Sequence, residues 1–201
     1  MKTVSKIVVI DKEKCIGCAL CTKVCPVTAI SKAEGSARYY EVDEKICSGC
    51  GFCVAQCSQK AIRVMKREQS VKVGIMNVEV TEEIKEICRK AHMYPEQMVC
   101  FCHLVQAKEI AAAILQGARS PEDISRLTGA RTGCGVLCIS GIIRLLRAAG
   151  IELTKAPGNQ WYGMDVSIWN IPESIREKYP EYFLEEDLRL IKEYFPEGGE
   201  K

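Results

Sequence analysis

One cysteine spacing occurs twice within the first sixty residues, and it leaves the chain few ways to fold. The first copy is Cys15-Ile-Gly-Cys18-Ala-Leu-Cys21-Thr-Lys-Val-Cys25-Pro26, and the second is Cys47-Ser-Gly-Cys50-Gly-Phe-Cys53-Val-Ala-Gln-Cys57-Ser58. Both read C-x2-C-x2-C-x3-C. Three cysteines spaced two residues apart in a tight loop can serve one site, with Gly17 and Gly49 permitting the backbone angles such a loop needs. The chain has 13 cysteines in 201 residues, a large excess. Disulfides would need an oxidising compartment, and the apolar run Ile7-Val8-Val9-Ile10 is too short for a secretory h-region or a membrane span. The expected setting is a reducing cytoplasm, where this pattern implies metal. Zinc sites pair two C-x2-C units, which is a different form from three cysteines plus a displaced fourth.

This is the spacing of the bacterial ferredoxin run, in which the fourth cysteine serves the other cluster. Residues 1–68 resemble a two-cluster bacterial-type [4Fe–4S] ferredoxin. The resemblance implies one cluster on Cys15, Cys18, Cys21 and Cys57, and a second on Cys47, Cys50, Cys53 and Cys25. Ser58 stands where that family usually has a proline, so the turn after Cys57 is less constrained. The expected elements are an edge strand at 4–10, a short helix over 26–32 starting at Pro26, a strand at Arg38–Val42, a short helix near 54–57 and a strand at Ala61–Val64. Together they make a strand–loop–helix–strand plan used twice.

Composition shifts at Lys66-Arg67-Glu68-Gln69-Ser70, the expected domain boundary. Residues 69–97 read as a connector: an extended stretch over 71–80, then a helix capped by Thr81. Ile84, Ile87, Cys88 and Ala91 share one face of it, which makes Cys88 a buried apolar residue rather than a ligand. His92 is read the same way.

A different cysteine set follows over residues 98–150. Cys100-Phe101-Cys102 is followed, after two helices, by Thr132-Gly133-Cys134-Gly135-Val136-Leu137-Cys138. The first helix, Val105–Gln116, ends at Gly117. The second starts with Ser120 as N-cap and Pro121 at its first position, and closes at Gly129. A third is expected over Val136–Ala149. Cys134 at its N-terminus would gain from backbone N–H groups, and Cys138, four residues on, would share its helical face. This order resembles the [2Fe–2S] domain of bacterioferritin-associated ferredoxins, which is also fused into multi-subunit redox enzymes. The resemblance implies a [2Fe–2S] cluster on Cys100, Cys102, Cys134 and Cys138. That family usually has C-x2-C where this chain has C-x3-C. A zinc or other single-metal site, or plain structural thiols, remain alternatives. His103 follows the C-x-C pair, but four cysteines already suffice. Glu122–Arg131 also has the look of a helix–turn–helix. In the favoured reading Ile124 and Leu127 pack a small domain and the neighbouring arginines are solvated.

Residues 151–201 lack cysteine and hold most of the aromatics: Trp161, Tyr162, Trp169, Tyr179, Tyr182, Phe183, Tyr194 and Phe195. They read as a C-terminal arm with helices after Pro172 and over Glu181–Tyr194. It either wraps its own domains or docks on a partner subunit. The expected fold class is α+β: a ferredoxin-like 2[4Fe–4S] domain, a small all-α [2Fe–2S] domain and an irregular aromatic-rich arm.

The chain has no phosphate loop, no dinucleotide fingerprint and no nucleophile–base pair. Its formal charge is +2, and three clusters with about two negative charges each would make it mildly acidic, which disfavours nucleic acid. The expectation is a non-catalytic electron-transfer subunit whose catalytic partner carries flavin, molybdenum or tungsten. A stand-alone multi-cluster carrier serving a redox partner or iron store is one alternative, and a redox-sensing regulator is another.

Overall fold

The computed structural model describes residues 2–35, 38–153 and 167–194, so Trp161, Tyr162 and Phe195 lie outside the described residues. The chain mixes helix and strand as an α+β protein does. Its first part uses one unit twice: β1 (Lys2–Ile10), α1 (Leu20–Lys23) and β2 (Ile30–Lys32), then β3 (Tyr40–Val42), α2 (Phe52–Gln56) and β4 (Ile62–Val73). A cysteine loop lies between the strand and the helix of each unit. The units interlock, because β1 pairs antiparallel with β4 and β2 with β3. Loop hydrogen bonds repeat the exchange, with Asp11 N donating to Ala61 O and Asp43 N to Ala29 O, both at 2.7 Å. Val4, Ile7 and Val8 of β1 are buried, and β-branched residues suit a strand packed against a core. Ile7 and Val8 form one core with Val27, Ile30, Ile62 and four of the cysteines.

Two expectations change here. The helix over 26–32 does not form: α1 precedes Cys25, and the chain after Pro26 turns into β2. Thr28 takes a φ of +51°, and Ala29 N donates to Cys25 Sγ at 3.2 Å. A sulfur acceptor takes the place of the first helical carbonyl. The second change is that the composition shift at 66–70 lies inside β4, which continues until Val71, Lys72 and Val73 pair with Val4, Thr3 and Lys2. The register slips between Val4 and Lys6, and the surplus residues bulge out.

The second part contains α3 (Glu82–Lys90), β5 (Met98–Cys100), β6 (Val105–Gln106), α4 (Ala107–Leu115), α5 (Pro121–Thr128) and α6 (Ile139–Ala148). The N-caps are where the sequence places them: Thr81 accepts from Ile84 N, and Ser120 from Asp123 N. Ile110, Ile124, Ile142, Leu145 and Leu146 are fully buried, together with Cys88. The domain expected to be all helical also has the ribbon β5–β6, which presents the C-x-C pair. The helix expected from Val105 starts at Ala107, because Val105 and Gln106 pair with Cys100 and Met98 instead.

The arginines of this region are not simply solvated. Arg131 is 5 % exposed and pairs with the equally buried Glu122 at 3.3 Å. Arg126 reaches Val27 O at 2.9 Å, Arg119 bonds Ile114 O at 3.1 Å, and Arg144 bonds Ala91 O. In the arm, α7 (Glu173–Lys178) and α8 (Leu184–Tyr194) follow a 3-10 turn at Ile168–Asn170. Trp169 stacks on His92, with ring centroids 3.8 Å apart and planes 7° from parallel, and Tyr94 Oη donates to Tyr194 O at 3.1 Å. His92 is therefore a stacking residue. Tyr182, Phe183 and Tyr194 stay well exposed.

Candidate metal centres

The two ferredoxin-type loops are held open by backbone contacts. Gly17 and Gly49 have φ of +75° and +62°, and a Cβ on either would stand 2.3 Å from Arg38 O or 2.4 Å from Lys6 O. No other residue fits there without moving the chain. Just upstream, Asp11 Oδ1 accepts from Glu13 N at 3.0 Å and Asp43 Oδ1 from Lys45 N at 2.8 Å. Cys15 N and Cys47 N bond back to the Asp11 and Asp43 carbonyls, both at 3.0 Å.

The cysteines gather across the two units. One cavity is lined by Cys15, Cys18 and Cys21 of the first loop together with Cys57 of the second, beside Ile10, Ile62 and Tyr40. The other is lined by Cys47, Cys50 and Cys53 with Cys25, beside Val8 and Ile30. The fourth sulfur of each set accepts a backbone N–H, Ala29 to Cys25 at 3.2 Å and Ala61 to Cys57 at 3.3 Å. Such donors stabilise charge on sulfur. Among the described residues, no three His, Cys, Asp or Glu side chains are drawn together as a single-ion site. The thiols ring a space instead.

Cys100, Cys102, Cys134 and Cys138 also come together. Cys138 hydrogen-bonds to Cys100, and Cys102 to Cys134. The first pair is buried and the second exposed. The bond from Cys138 holds the Cys100 thiol below its usual value, and Cys138 itself is raised. Cys134 is lowered by the amides of Val136 and Leu137. Those amides belong to a loop, because α6 starts only at Ile139. Cys138 thus reaches its partners at the end of that loop and not along a helical face shared with Cys134. Cys88 is fully buried, and burial pushes its thiol up to about 12.

Iron–sulfur clusters fit these residues. Four thiols face each cavity, amides point at sulfur, and two buried polar atoms beside the cysteines lack a hydrogen-bond partner: Ser48 Oγ and His103 Nε2. Ser48 lines the second cavity. An orphan of this kind calls for an acceptor, and bridging sulfide is one.

Without metal, the fold opposes the thiolates of Cys21 and Cys53 in the four-sulfur sites. Burial pushes Cys21 up to about 11 and Cys53 up to about 12, with neighbouring thiolates adding to it. The unperturbed thiol value is 9.0. A raised folded value means that the folded state holds its proton more tightly. That stabilisation is whole below pH 9.0 and lost as pH rises through 11 to 12. Through these two thiols the iron-free protein, kept anaerobic and reduced, should lose Tm steadily as pH rises above about 9. A Tm that stayed flat to pH 12 would contradict buried neutral thiols. Loading iron reverses the preference and releases the protons.

Several contributors were not singled out in the sequence. Arg67, in the β4 bulge, donates from Nη2 to Glu44 O and Cys47 O, both at 2.6 Å, and so clamps the second loop. Its signal was a basic run read as a boundary. Asp11 and Asp43 each stand four residues before the first cysteine of a copy, so extending the repeat upstream would have found them. Arg131 N–H faces both Cys100 and Cys138, and nothing in the local pattern marks it.

Residues 8–65 match the family model of a 4Fe-4S dicluster domain, and residues 98–148 match that of a BFD-like [2Fe-2S] binding domain. No curated protein and no solved structure matches the chain. The two matched segments lie in series, and the cofactors are [4Fe–4S] and [2Fe–2S] clusters. Their role is iron–sulfur electron transfer. No helix among the described residues is long and apolar enough to cross a membrane.

Proposed function

We propose that this chain, in which a 4Fe-4S dicluster domain precedes a BFD-like [2Fe-2S] binding domain, is the non-catalytic relay subunit of a larger oxidoreductase. Cys15, Cys18, Cys21 and Cys57 hold one [4Fe–4S] cluster, Cys47, Cys50, Cys53 and Cys25 a second, and Cys100, Cys102, Cys134 and Cys138 a [2Fe–2S] cluster. When bound, the clusters supply one-electron oxidation and reduction. The protein's own work is to position sulfur, to aim amides at it and to limit water. Ile7, Val8, Ile30 and Ile62 do the last of these, being buried beside the four-sulfur sites.

The observation that carries the subunit reading is exposure at both ends. Ile16 and Leu20 are exposed beside Cys18, itself exposed, and Phe101, Leu104, Val136 and Leu137 are each more than 65 % exposed around Cys102 and Cys134. Apolar side chains of this kind surrounding surface thiols suit docking of redox partners. The catalytic subunit, with flavin, molybdenum or tungsten, would sit at one end. The chain's compartment is a reducing cytoplasm on this reading, in keeping with thirteen free cysteines.

A second reading is a stand-alone carrier. The Trp169–His92 stack favours it, because the arm then binds its own chain. Regulation through DNA has less support, since Arg119, Arg126, Arg131 and Arg144 all bond within the chain. Iron and acid-labile sulfide on anaerobically purified protein should reach about ten irons per chain, with [2Fe–2S] and coupled [4Fe–4S] EPR signals after reduction. About eight irons with one zinc would end the three-cluster reading. Gentle purification from the native source should yield a heteromer, and a monomer would favour the stand-alone carrier.

A further inference from the structure

The two iron–sulfur domains meet at a seam on which Lys2, at the start of β1, is half-buried. Its Nζ donates to Thr132 Oγ1 at 2.7 Å and to Ser48 O at 3.4 Å. Thr132 lies two residues before Cys134, and Ser48 directly follows Cys47. The Thr132 hydroxyl is held by Gly129 O at 2.6 Å, and the aliphatic stem of Lys2 packs over Gly129. Burial lowers the pKa of the Lys2 ammonium from its usual value, and Cys50, Cys100 and Cys47, thiols of both domains, oppose that shift.

Two further contacts cross the same seam. Arg126 of α5 donates from Nε to Val27 O at 2.9 Å and from Nη2 to Thr28 Oγ1, just after Cys25. Phe52, beside Cys53, lies so close to Gly135, beside Cys134, that a Cβ at 135 would stand 2.9 Å from the ring. All three contacts land within three residues of a cysteine in the second four-sulfur set.

We propose that Lys2 is the electrostatic junction between the two domains, and that its charge selects the second four-sulfur site and the two-iron site as the pair between which an electron crosses. This rests on the relay reading above. A half-buried positive charge is poorly screened. It favours the more negative, reduced form of a nearby centre, and local charge is one of the levers on cluster potential. Lys2 therefore raises the potentials of both sites together. An electron crossing between clusters held at these two sites would leave one oxidised by one and the other reduced by one. No bond forms and no proton has to move. Lys2 is a positioning residue and touches no reacting atom.

The test uses full-length Lys2→Met and Lys2→Arg proteins, each first shown to carry the wild-type iron content. EPR-monitored potentiometry of Lys2→Met should show the second four-iron signal and the two-iron signal each becoming harder to reduce by roughly tenfold. For one electron that corresponds to about 59 mV. The first four-iron signal should stay in place, and Lys2→Arg should restore both shifted values. Loss of one four-iron signal in Cys50→Ala identifies which signal is the second. Unmoved potentials in Lys2→Met, or an equal drop at all three centres, overturn the proposal. If Lys2→Met loses iron, the comparison is read on Lys2→Gln, which keeps a donor for Thr132 without the charge. A wild-type chain lacking the two-iron signal would sink the relay reading and this inference together. Intact signals with unmoved potentials would sink the inference alone.

Discussion

Cys57→Ala is expected to lose about four irons per chain, and the cluster it loses should be the one that Cys18→Ala loses. Cys57 belongs to the second motif by sequence but to the first cavity by position, beside Cys15, Cys18 and Cys21. Removing it takes away the fourth thiol of that cavity, and Ala61 N loses its sulfur acceptor. The second cavity keeps all four of its thiols. Cys25→Ala should mirror this result, matching Cys50→Ala. Redox titration of each variant separates the two four-iron signals by potential. If Cys57→Ala and Cys50→Ala instead removed the same signal, ligation would be local to each motif and the exchange between units would be wrong.

Glu122→Ala is expected to destabilise the helical domain by about 3–5 kcal/mol, which is large against the whole stability of a small domain. Glu122 and Arg131 face each other at 3.3 Å, with side chains only 6 % exposed. Truncating the carboxylate takes the Glu122 counter-charge from a buried guanidinium, and the desolvation penalty of that ion is then less well compensated. The effect reaches the metal site because Arg131 N–H faces Cys100 and Cys138. Chemical denaturation followed by circular dichroism should show the loss, and the two-iron EPR signal should fade while the four-iron signals persist. The double variant Glu122→Leu with Arg131→Met removes both charges and should be far less damaging than Glu122→Ala alone. A double variant as unstable as the single one would mean that shape, and not charge pairing, holds this loop.

Local sequence decides local structure where one residue type leaves one option. Thr81 and Ser120 start helices because their side-chain oxygens satisfy backbone donors that have no other partner. Gly17 and Gly49 stand where a side chain would strike a carbonyl. The face carrying Ile84, Ile87 and Cys88 is buried as its spacing predicts. The misreadings arise where a distant partner outcompetes local preference. Pro26 is a good helix start, yet Cys25 Sγ captures the Ala29 amide and the chain turns into β2. Val105 and Gln106 would extend α4, but β5 offers them a ladder. Leu137 and Val136 look helical, while the Cys134 loop uses their surroundings differently and leaves both exposed. Arg67 lies in a basic run that locally resembles a linker, yet its guanidinium gathers the carbonyls of Glu44 and Cys47.

By itself the sequence determined how many sulfurs there are and how each motif is spaced, and with them the cluster chemistry. Ligand type and local spacing are properties of a few consecutive residues, so short-range geometry suffices to read them. Tertiary structure alone decided what lies between the sites. Lys2 and Thr132 are 130 residues apart in the chain, and Arg126 and Val27 are 99 apart. No periodicity links such residues. They meet where the surfaces of two separate cores touch, one around Ile7, Ile30 and Ile62 and one around Ile110, Ile142 and Leu145. The seam that joins the domains is therefore a product of packing, and only the folded chain displays it.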